Sequence, residues 1–547
     1  MRKRKVVLSL LICIVLAFSV LAACSSRNDA QQPQSPQSTP SGSQGSQGSS
    51  QGSQGSGTEA ESKPPLKLRV ALTTGGNTYV EGHSNLKEDP YVQEFERMTN
   101  TDLEFELLLH QEYNQQLSLL VASGDLPDLL QTKGIDQPEI APLVEAGALL
   151  PLNDLIDQYA PNLKAKVPKD SWESGRVSKD GVIYGIPGYE NSIRNGTVVY
   201  LRGDWLEKLG LSVPRTVDEY LTVLRAFRDK DPNGNGQPDE IPIAGRERLS
   251  HTTHFFGAYD VLPEGWRMID GTMTPNFIRP EMKEALTLYR QLYAEGLLDQ
   301  ETFVTTGAMW GEKIQAKGIG GMWAHAAAYP DNWQQSLETN NVEGAKIVIA
   351  PAPVGPSGKP GGVYPIGSSL ADFVWTIPRN ASNPEEIVKL FDWFYSDDVD
   401  KNFFLYGLEG KDYTIENGQI KYNYPETHED IVRESFHQIW LHWTGPQYQL
   451  IDEDFIRGRK YGDLILQAIQ VANSEGQHTD ALDMPALPAV QARPELMWNG
   501  LWLEFAAKVI TGQESVDNFD AFVEDWKRRG GEQWMREATE WYNSKNG

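Results

Sequence analysis

Leu68-Arg69-Val70-Ala71-Leu72, Tyr91-Val92-Gln93-Glu94-Phe95-Glu96-Arg97-Met98 and Leu103-Glu104-Phe105-Glu106-Leu107 follow one another along the chain, and their order decides the fold. The first is a short apolar run of the kind that makes a buried strand. The second repeats Val92, Phe95 and Met98 every three residues, as one stripe of a helix does, and the third alternates apolar with acidic residues as a strand does. A further helix over Tyr113–Ala122 is stopped by Ser123-Gly124-Asp125-Leu126-Pro127, and Asp128-Leu129-Leu130 opens another strand. Strands alternating with helices are joined by parallel crossovers, which predicts an α/β sheet with helices on both faces.

The same grammar continues outward. Thr197–Leu201, Ile347–Ala350 and Ala371–Pro378 read as strands; Val217–Asp229, Met282–Ala294 and Pro384–Tyr395 read as helices, the last with Ile387, Leu390, Phe391 and Phe394 on one face. Val516, Phe519, Phe522, Val523 and Trp526 mark a helix packing onto the body near its end. Outside residues 43–56 no repeat of solenoid length is visible.

Before this body comes an export signal. Arg2, Lys3, Arg4 and Lys5 precede an apolar run from Val6 to Leu21, too short for a comfortable membrane span. Leu21-Ala22-Ala23-Cys24 resembles a bacterial lipobox, in which the Cys24 thiol takes a diacylglyceryl group and becomes the new N-terminus; the alternative is a plain signal peptide with an incidental cysteine. Several acyl chains on one residue hold a protein stably at a membrane, so palmitate-type lipidation of Cys24 is expected to be the only membrane attachment. Residues 24–65 are then a tether of Ser, Gln, Gly and Pro that cannot fold alone, with an r.m.s. span of roughly 35 Å.

Composition bounds the function. The 547 residues carry 49 Lys+Arg against 75 Asp+Glu, a net charge of −26 that becomes −30 once residues 1–23 and their four positive charges are removed. Such a surface argues against a nucleic-acid partner, which needs clustered cations. The two cysteines both precede residue 25, so the body has neither a disulfide nor a Cys-based zinc site.

The sharpest motif is Asp231-Pro232-Asn233-Gly234-Asn235-Gly236-Gln237-Pro238-Asp239-Glu240. Oxygen side chains at positions 1, 3, 5 and 9, with Gly at 6, match the start of an EF-hand loop and suit a structural calcium ion; position 12 is Pro242, so Glu240 has to close the shell. A solvated Asn-Gly turn is the competing reading. Enzyme signatures fail: His428-Glu429 lacks a second zincin histidine, no nucleophile elbow or phosphate loop appears, and Gly318–Trp323 is not a dinucleotide fingerprint. The carboxylates neither suggest nor exclude a glycosidase pair. His251 and His254 are read as surface or packed histidines. The 15 Trp and 21 Tyr suit the apolar faces of sugar rings, although most tryptophans pack in cores. Trp323, Trp310, Tyr189, Trp375, Trp440 and Trp443 sit near chain breaks and are the candidates to stay open.

At this point the chain resembles the lipoprotein solute-binding subunits of bacterial ABC importers, of the large family 1 type that includes maltose- and alginate-binding proteins. The carriers are Ala122–Asp128, Leu149–Ile156, Tyr184–Pro187, Leu201–Leu211, Tyr293–Asp299, Gly321–Trp323, Ala350–Pro353 and Asn383–Trp393, so the resemblance covers residues 66–547. It implies a type II periplasmic-binding-protein-like fold: two α/β lobes, each a mixed sheet flanked by helices, around a hinge the chain crosses more than once. By order of segments lobe one holds 66–195 plus 345–408 and lobe two 196–344 plus 409–547. The resemblance also implies calcium on Asp231, Asn233, Asn235, the Gln237 carbonyl, Asp239 and Glu240, and a sugar stacked on Trp323.

The expectation is a monomeric, lipid-anchored receptor on the extracellular face of the cell membrane. It would capture an oligosaccharide between its lobes and hand it to transmembrane permease subunits, with no bond made or broken. Trp323, Trp375 and Tyr189 would stack on rings. Arg194, Arg202 or His325 would meet a carboxylate if the sugar is a uronate, Arg202 having an equally good reading as a lobe-packing residue. A surface-tethered lyase or glycosidase and a sensory accessory protein are the rival readings.

Overall fold

The computed structural model describes residues 63–189, 196–327, 329–340, 342–362, 370–444, 453–475, 479–482 and 484–546. Its two main sheets are built from β1 (Leu66–Thr73), β2 (Thr101–Leu108), β3 (Leu129–Thr132), β4 (Gly185–Tyr189), β5 (Thr197–Arg202), β6 (Ile241–Ile243), β7 (Gly320–Ala326), β8 (Ile347–Ala350) and β9 (Leu370–Thr376). The first sheet runs β2-β1-β3-β9-β4; β1 is parallel to both neighbours and β9 antiparallel to β3 and β4. The second runs β8-β5-β7-β6, with β5 antiparallel to its two neighbours and β7 parallel to β6. Each sheet is mixed because an antiparallel strand has entered a parallel frame.

Local chemistry sets the helices. α1 (Pro90–Thr99) starts where the Asp89 carboxylate accepts from the Tyr91 and Val92 amides and Pro90 takes the first position, and it ends at Asn100 in the left-handed region. α2 (Tyr113–Ser123) ends at Gly124, also left-handed. α3 (Val217–Asp229) opens with a full capping box between Thr216 and Glu219. α4 (Glu281–Ala294), α5 (Pro330–Thr339), α6 (Pro384–Trp393), α7 (His428–Ser435) and α8 (Gly462–Glu475) complete the frame used below.

Around the first sheet Phe95 of α1, Ile186, Trp375, Phe391 and Trp443 form one core. Around the second, Trp205, Phe227 and Met322 pack with Trp502 and Trp526 from the C-terminal helices. A third cluster, Tyr200, Trp310, Trp323, Trp333 and Ile465, covers the opposite face of the second sheet, since Tyr200 and Trp323 alternate with Leu201 and Met322 along their strands. Among the described residues no helix is long and apolar enough to cross a membrane.

The lobe borders need two corrections. β8 falls inside the 345–408 segment assigned to lobe one, yet it pairs with β5 of the second sheet, so that crossing comes after Ala350. The stretch from α7 to Trp443, assigned to lobe two, buries Phe436, Trp440, Leu441 and Trp443 in the first core. Segment order predicts parallel crossovers well, but carries no mark for an antiparallel insertion or for a helix returning to an earlier core.

Candidate ligand-binding cleft

β7 brings the site together. Gly321 has no side chain because a Cβ there would stand 2.6 Å from Phe227 and 2.8 Å from Trp205, so the strand can lie close on its own core. Trp323 and His325 then share one face of β7. Trp323 is fully covered, stacked on Tyr200 at 5.8 Å and an 18° interplanar angle and flanked by Trp333 at 5.3 Å. His325 is only half-buried and is ringed by Trp333 at 5.3 Å, Tyr329 at 5.8 Å and Trp310 at 5.9 Å. His251 stacks on Trp310 at 4.5 Å and stands 5.2 Å from His325. Of these rings His251, His325 and Tyr329 are partly exposed, and Trp310 and Trp333 are their buried neighbours.

The loop that supplies His251 is held in an unusual backbone. Arg248, Leu249 and His251 all have positive φ (63°, 57° and 65°), a conformation that costs side-chain-bearing residues of order 1–3 kcal/mol each and is tolerated where surroundings over-determine it. Here burial of Leu249 and a bond from the Ala324 amide to the His251 carbonyl (3.0 Å) fix it to β7. Arg246 at the start of this loop grips Glu247 through Nε and Nη2. Burial, aided by Arg246, pushes His251 from its ordinary value down to about 4. Burial, then His251 and Arg246, push His325 down to about 3. Both rings are therefore neutral at physiological pH: stacking faces with one donor and one acceptor nitrogen each. The Nδ1 of His325 is buried without a hydrogen-bond partner among the described residues.

The other wall belongs to the first sheet. His110, just after β2, has its pKa lowered by burial, then by Lys133 and by Arg246. The Ala486 amide also donates to Asp136 after β3 (3.0 Å), tying the C-terminal region to the first sheet.

The expected site residues divide clearly. Trp323, Trp310 and His325 come together, but Trp323 is a wall and has no free face, and a neutral His325 is not the cation expected to pair with a carboxylate. Trp375 and Trp443 lie 5.3 Å apart inside the first core, and Trp440 is stacked on Phe436 with its Nε1 donating to the Thr73 carbonyl. With their faces covered by protein, none of the three is a sugar platform in this conformation. Arg202 is 2% exposed, bidentate to Asp204, bonded to the Gly318 carbonyl and lying over Trp205, which is the lobe-packing role. Tyr189 is the last residue of β4, opposite Leu370. Arg194 and Cys24 lie outside the described residues. Sequence reading missed Trp333, Tyr329, Arg246 and His110, and set His251 aside with His254, which is indeed fully buried. The one available signal was Trp333 following Tyr329-Pro330 a few residues beyond β7.

The Asp231–Glu240 loop folds as a compact turn. Asp231 accepts from the Gly234 and Gly236 amides, while Asn233 and Asn235 turn their amide nitrogens onto Asp239. Glu240 Oε1 is buried with no hydrogen-bond partner among the described residues, and burial, with Asp239 and Asp231 nearby, raises its pKa. Among the described residues no three His, Cys, Asp or Glu converge on a point. A cation here requires both asparagines to rotate and present oxygen, after which Glu240, now a stranded acceptor, gains a partner; the donor set fits a hard cation.

The sequence pattern of the bacterial extracellular solute-binding proteins matches residues 84–401. The chain belongs to that family. This solute-binding protein is 25% identical to Lipoprotein LipO of Bacillus subtilis over 503 residues, 89% of this chain and 94% of that one. Its fold is similar to that of the alginate-binding protein AlgQ2, solved without calcium ion, with a TM-score of 0.67 and 22% identity over 88% of this chain and 99% of that one. It is also similar to an EF-hand mutant of the Streptococcus pneumoniae ABC-transporter substrate-binding protein FusA in complex with fructo-nystose (TM-score 0.66, 20% identity, 88% and 99% covered). The fold is accordingly the two-lobe, type II solute-binding architecture with a mixed sheet in each lobe.

Proposed function

We propose that this solute-binding protein captures an oligosaccharide between its lobes, for delivery to the permease subunits of an ABC importer. The observation that carries the reading is the cluster of partly exposed aromatic rings His251, His325 and Tyr329, backed by Trp310 and Trp333, on the second sheet. Neutral imidazoles and a phenol offer ring faces for sugar C–H groups and single donors and acceptors for hydroxyls, without a charge to be desolvated. Closure follows from differential affinity, because a sugar in this position touches both lobes only when they approach. Lobe one would comprise 63–189 with 370–444, and lobe two 196–350 with 453–546. An alginate-binding protein and a fructo-nystose complex among the similar folds support a saccharide cargo. Kinship with a lipoprotein supports lipidation at Cys24 and a place on the extracellular face of the membrane, after removal of residues 1–23. Calcium in the Asp231–Glu240 loop would be structural, since a closed oxygen shell leaves no position for substrate.

The test is a thermal-shift and titration screen of the full mature chain against oligosaccharides of several plant and algal polymers, with and without calcium. A saturable rise for one sugar class, lost in His325→Ala and Tyr329→Ala, with the sugar recovered intact, is the expected result. No response to any class, or cleavage of the sugar, overturns the reading. For the loop, chelation should lower the melting temperature of the parent chain and leave Asp231→Ala unaffected; an equal response of both removes the calcium proposal.

A further inference from the structure

A cavity of about 880 Å³ lies beside α7, and its lining shares no residue with the His251–His325 group. α7 is held by both lobes. Asn77 of the first donates to the Val432 carbonyl and to Ser435 near its C-terminal end, while His428 at its start meets Ser336 of α5 at 3.3 Å. The volume falls within the range of small-molecule sites, roughly 300–1,000 Å³.

Its walls are fixed by bonds behind them. Tyr91 stacks on the buried His437 at 5.4 Å and donates to Asp412 at 2.8 Å. Tyr422 donates to Glu434 (2.7 Å), which is itself gripped by Arg459. Tyr424 sits against Gly458, where a Cβ would overlap its ring. Facing the cavity, Arg433 gives one nitrogen to Asp430 at 2.6 Å, and its Nε and Nη1 have no protein acceptor among the described residues. The exposed Glu426 carboxylate has no protein donor there either.

The charges decide the ligand class. Asp412, Glu426, Asp430 and Glu434 line the cavity with Arg433 and Lys460; Lys460 is paired with Glu338, and Arg459 behind Glu434 is shared with Asp331, so the balance stays acidic. A site of that sign disfavours an anion such as a uronate. Adjacent unsatisfied donors and acceptors beside a tyrosine face suit a group that does both at once, the hydroxyl.

We propose that this cavity is a second saccharide site, taking a neutral mono- or disaccharide whose hydroxyls bridge Glu426 and Arg433 beside the Tyr424 ring. The site is independent of the cleft and does not rest on the cargo proposed there. Its test is isothermal titration of the full mature chain with maltose, sucrose and melibiose up to high millimolar concentration, repeated on Arg433→Gln, Glu426→Gln, Gly458→Ala and the cleft change His325→Ala. Arg433 and Glu426 are solvent-facing, and their variants should melt like the parent. The expected result is a saturable event for at least one sugar that survives His325→Ala and is weakened about tenfold by Arg433→Gln and by Glu426→Gln. Gly458→Ala, which displaces Tyr424, should weaken it as well. Absence of any event for all three sugars overturns the proposal. So does an event that His325→Ala removes and the Arg433 and Glu426 changes leave intact, which assigns the binding to the cleft.

Discussion

Replacing Arg459 by Met should destabilise the protein by about 3–5 kcal/mol, because it strands two buried carboxylates. The guanidinium is 9% exposed; it holds Asp331 (5% exposed) at 3.0 and 2.8 Å through Nε and Nη2, and Glu434 (6% exposed) through Nη1. At 2.8 Å and an effective dielectric of 20 each attraction is about 6 kcal/mol gross, most of it offset by desolvation of the partners. Burial alone would lower the Arg459 pKa, but Glu434 and Asp331 outweigh it and raise it. In the Met variant the desolvation remains and the compensation is gone, so both carboxylates should titrate above their unfolded values. A group raised in this way penalises the fold fully above its folded pKa, and the penalty disappears as pH falls towards the unfolded value of about 4. Urea unfolding followed by tryptophan fluorescence, on parent and variant side by side, should show the full loss near neutral pH and a smaller one at about pH 5. A loss below about 1 kcal/mol, or one that grows on acidification, would show that the triad is not the buried pair its geometry describes.

The two cleft histidines give the parent chain its own pH dependence. Each has a depressed folded pKa, so each costs stability as pH falls below the unfolded 6.5, down to about 4 for His251, where the penalty levels off at no more than about 3 kcal/mol. His251→Gln should flatten the melting-temperature profile over that window, and an unchanged profile would place the titration elsewhere. Trp443→Ala should cost about 3–5 kcal/mol as a core deletion, while Trp375→Phe should leave sugar affinity near that of the parent; a large loss of affinity with unchanged stability in either would restore a contact role. Thr216→Ala, which removes the capping box of α3, should cost about 1 kcal/mol in the same unfolding assay, and no loss would mean the helix start is held by packing alone.

The strands and the first helices were legible because their burial follows one-dimensional rules: a fully buried strand is an apolar run, and α1 buries Val92 and Phe95, two of the three residues on its predicted stripe. Which side of a sheet is covered, and by what, is not written in the period. Trp323 and His325 share a face of β7, and only the arrival of Tyr200 and Trp333 from elsewhere covers the first and leaves the second half-open. The same holds for Trp375, whose cover includes Trp443, a residue 68 positions away. His251 could not be read as a site residue because its exposure depends on three left-handed backbone positions, none of them glycine. The Asp231–Glu240 turn was legible because Asp, Asn and Gly recur at fixed spacing within ten residues, and Asp231 indeed accepts from the Gly234 and Gly236 amides.

The charge of the cleft bears on which saccharides it can favour. The mature chain carries about −30, and a surface of that sign repels a polyuronate once it comes within a Debye length, about 8 Å at physiological ionic strength. Inside that distance the described part of the cleft returns little attraction, because His251 and His325 are neutral and Arg246 is paired with Glu247. Lys133 on the opposite wall lies over the Tyr113 ring, and the exposed Arg248 of the His251 loop has no ion pair among the described residues. A neutral oligosaccharide meets none of this opposition, whereas a uronate must overcome it with Lys133 and Arg248 alone among the described residues. Salt separates the cases. For a cleft of this balance, affinity for a uronate trisaccharide should rise as salt screens the long-range repulsion, and affinity for a neutral trisaccharide should not change. A uronate affinity that falls steeply with salt would mean that cations dominate the bound sugar's surroundings, and would refute the charge balance read from Arg246, His251 and His325.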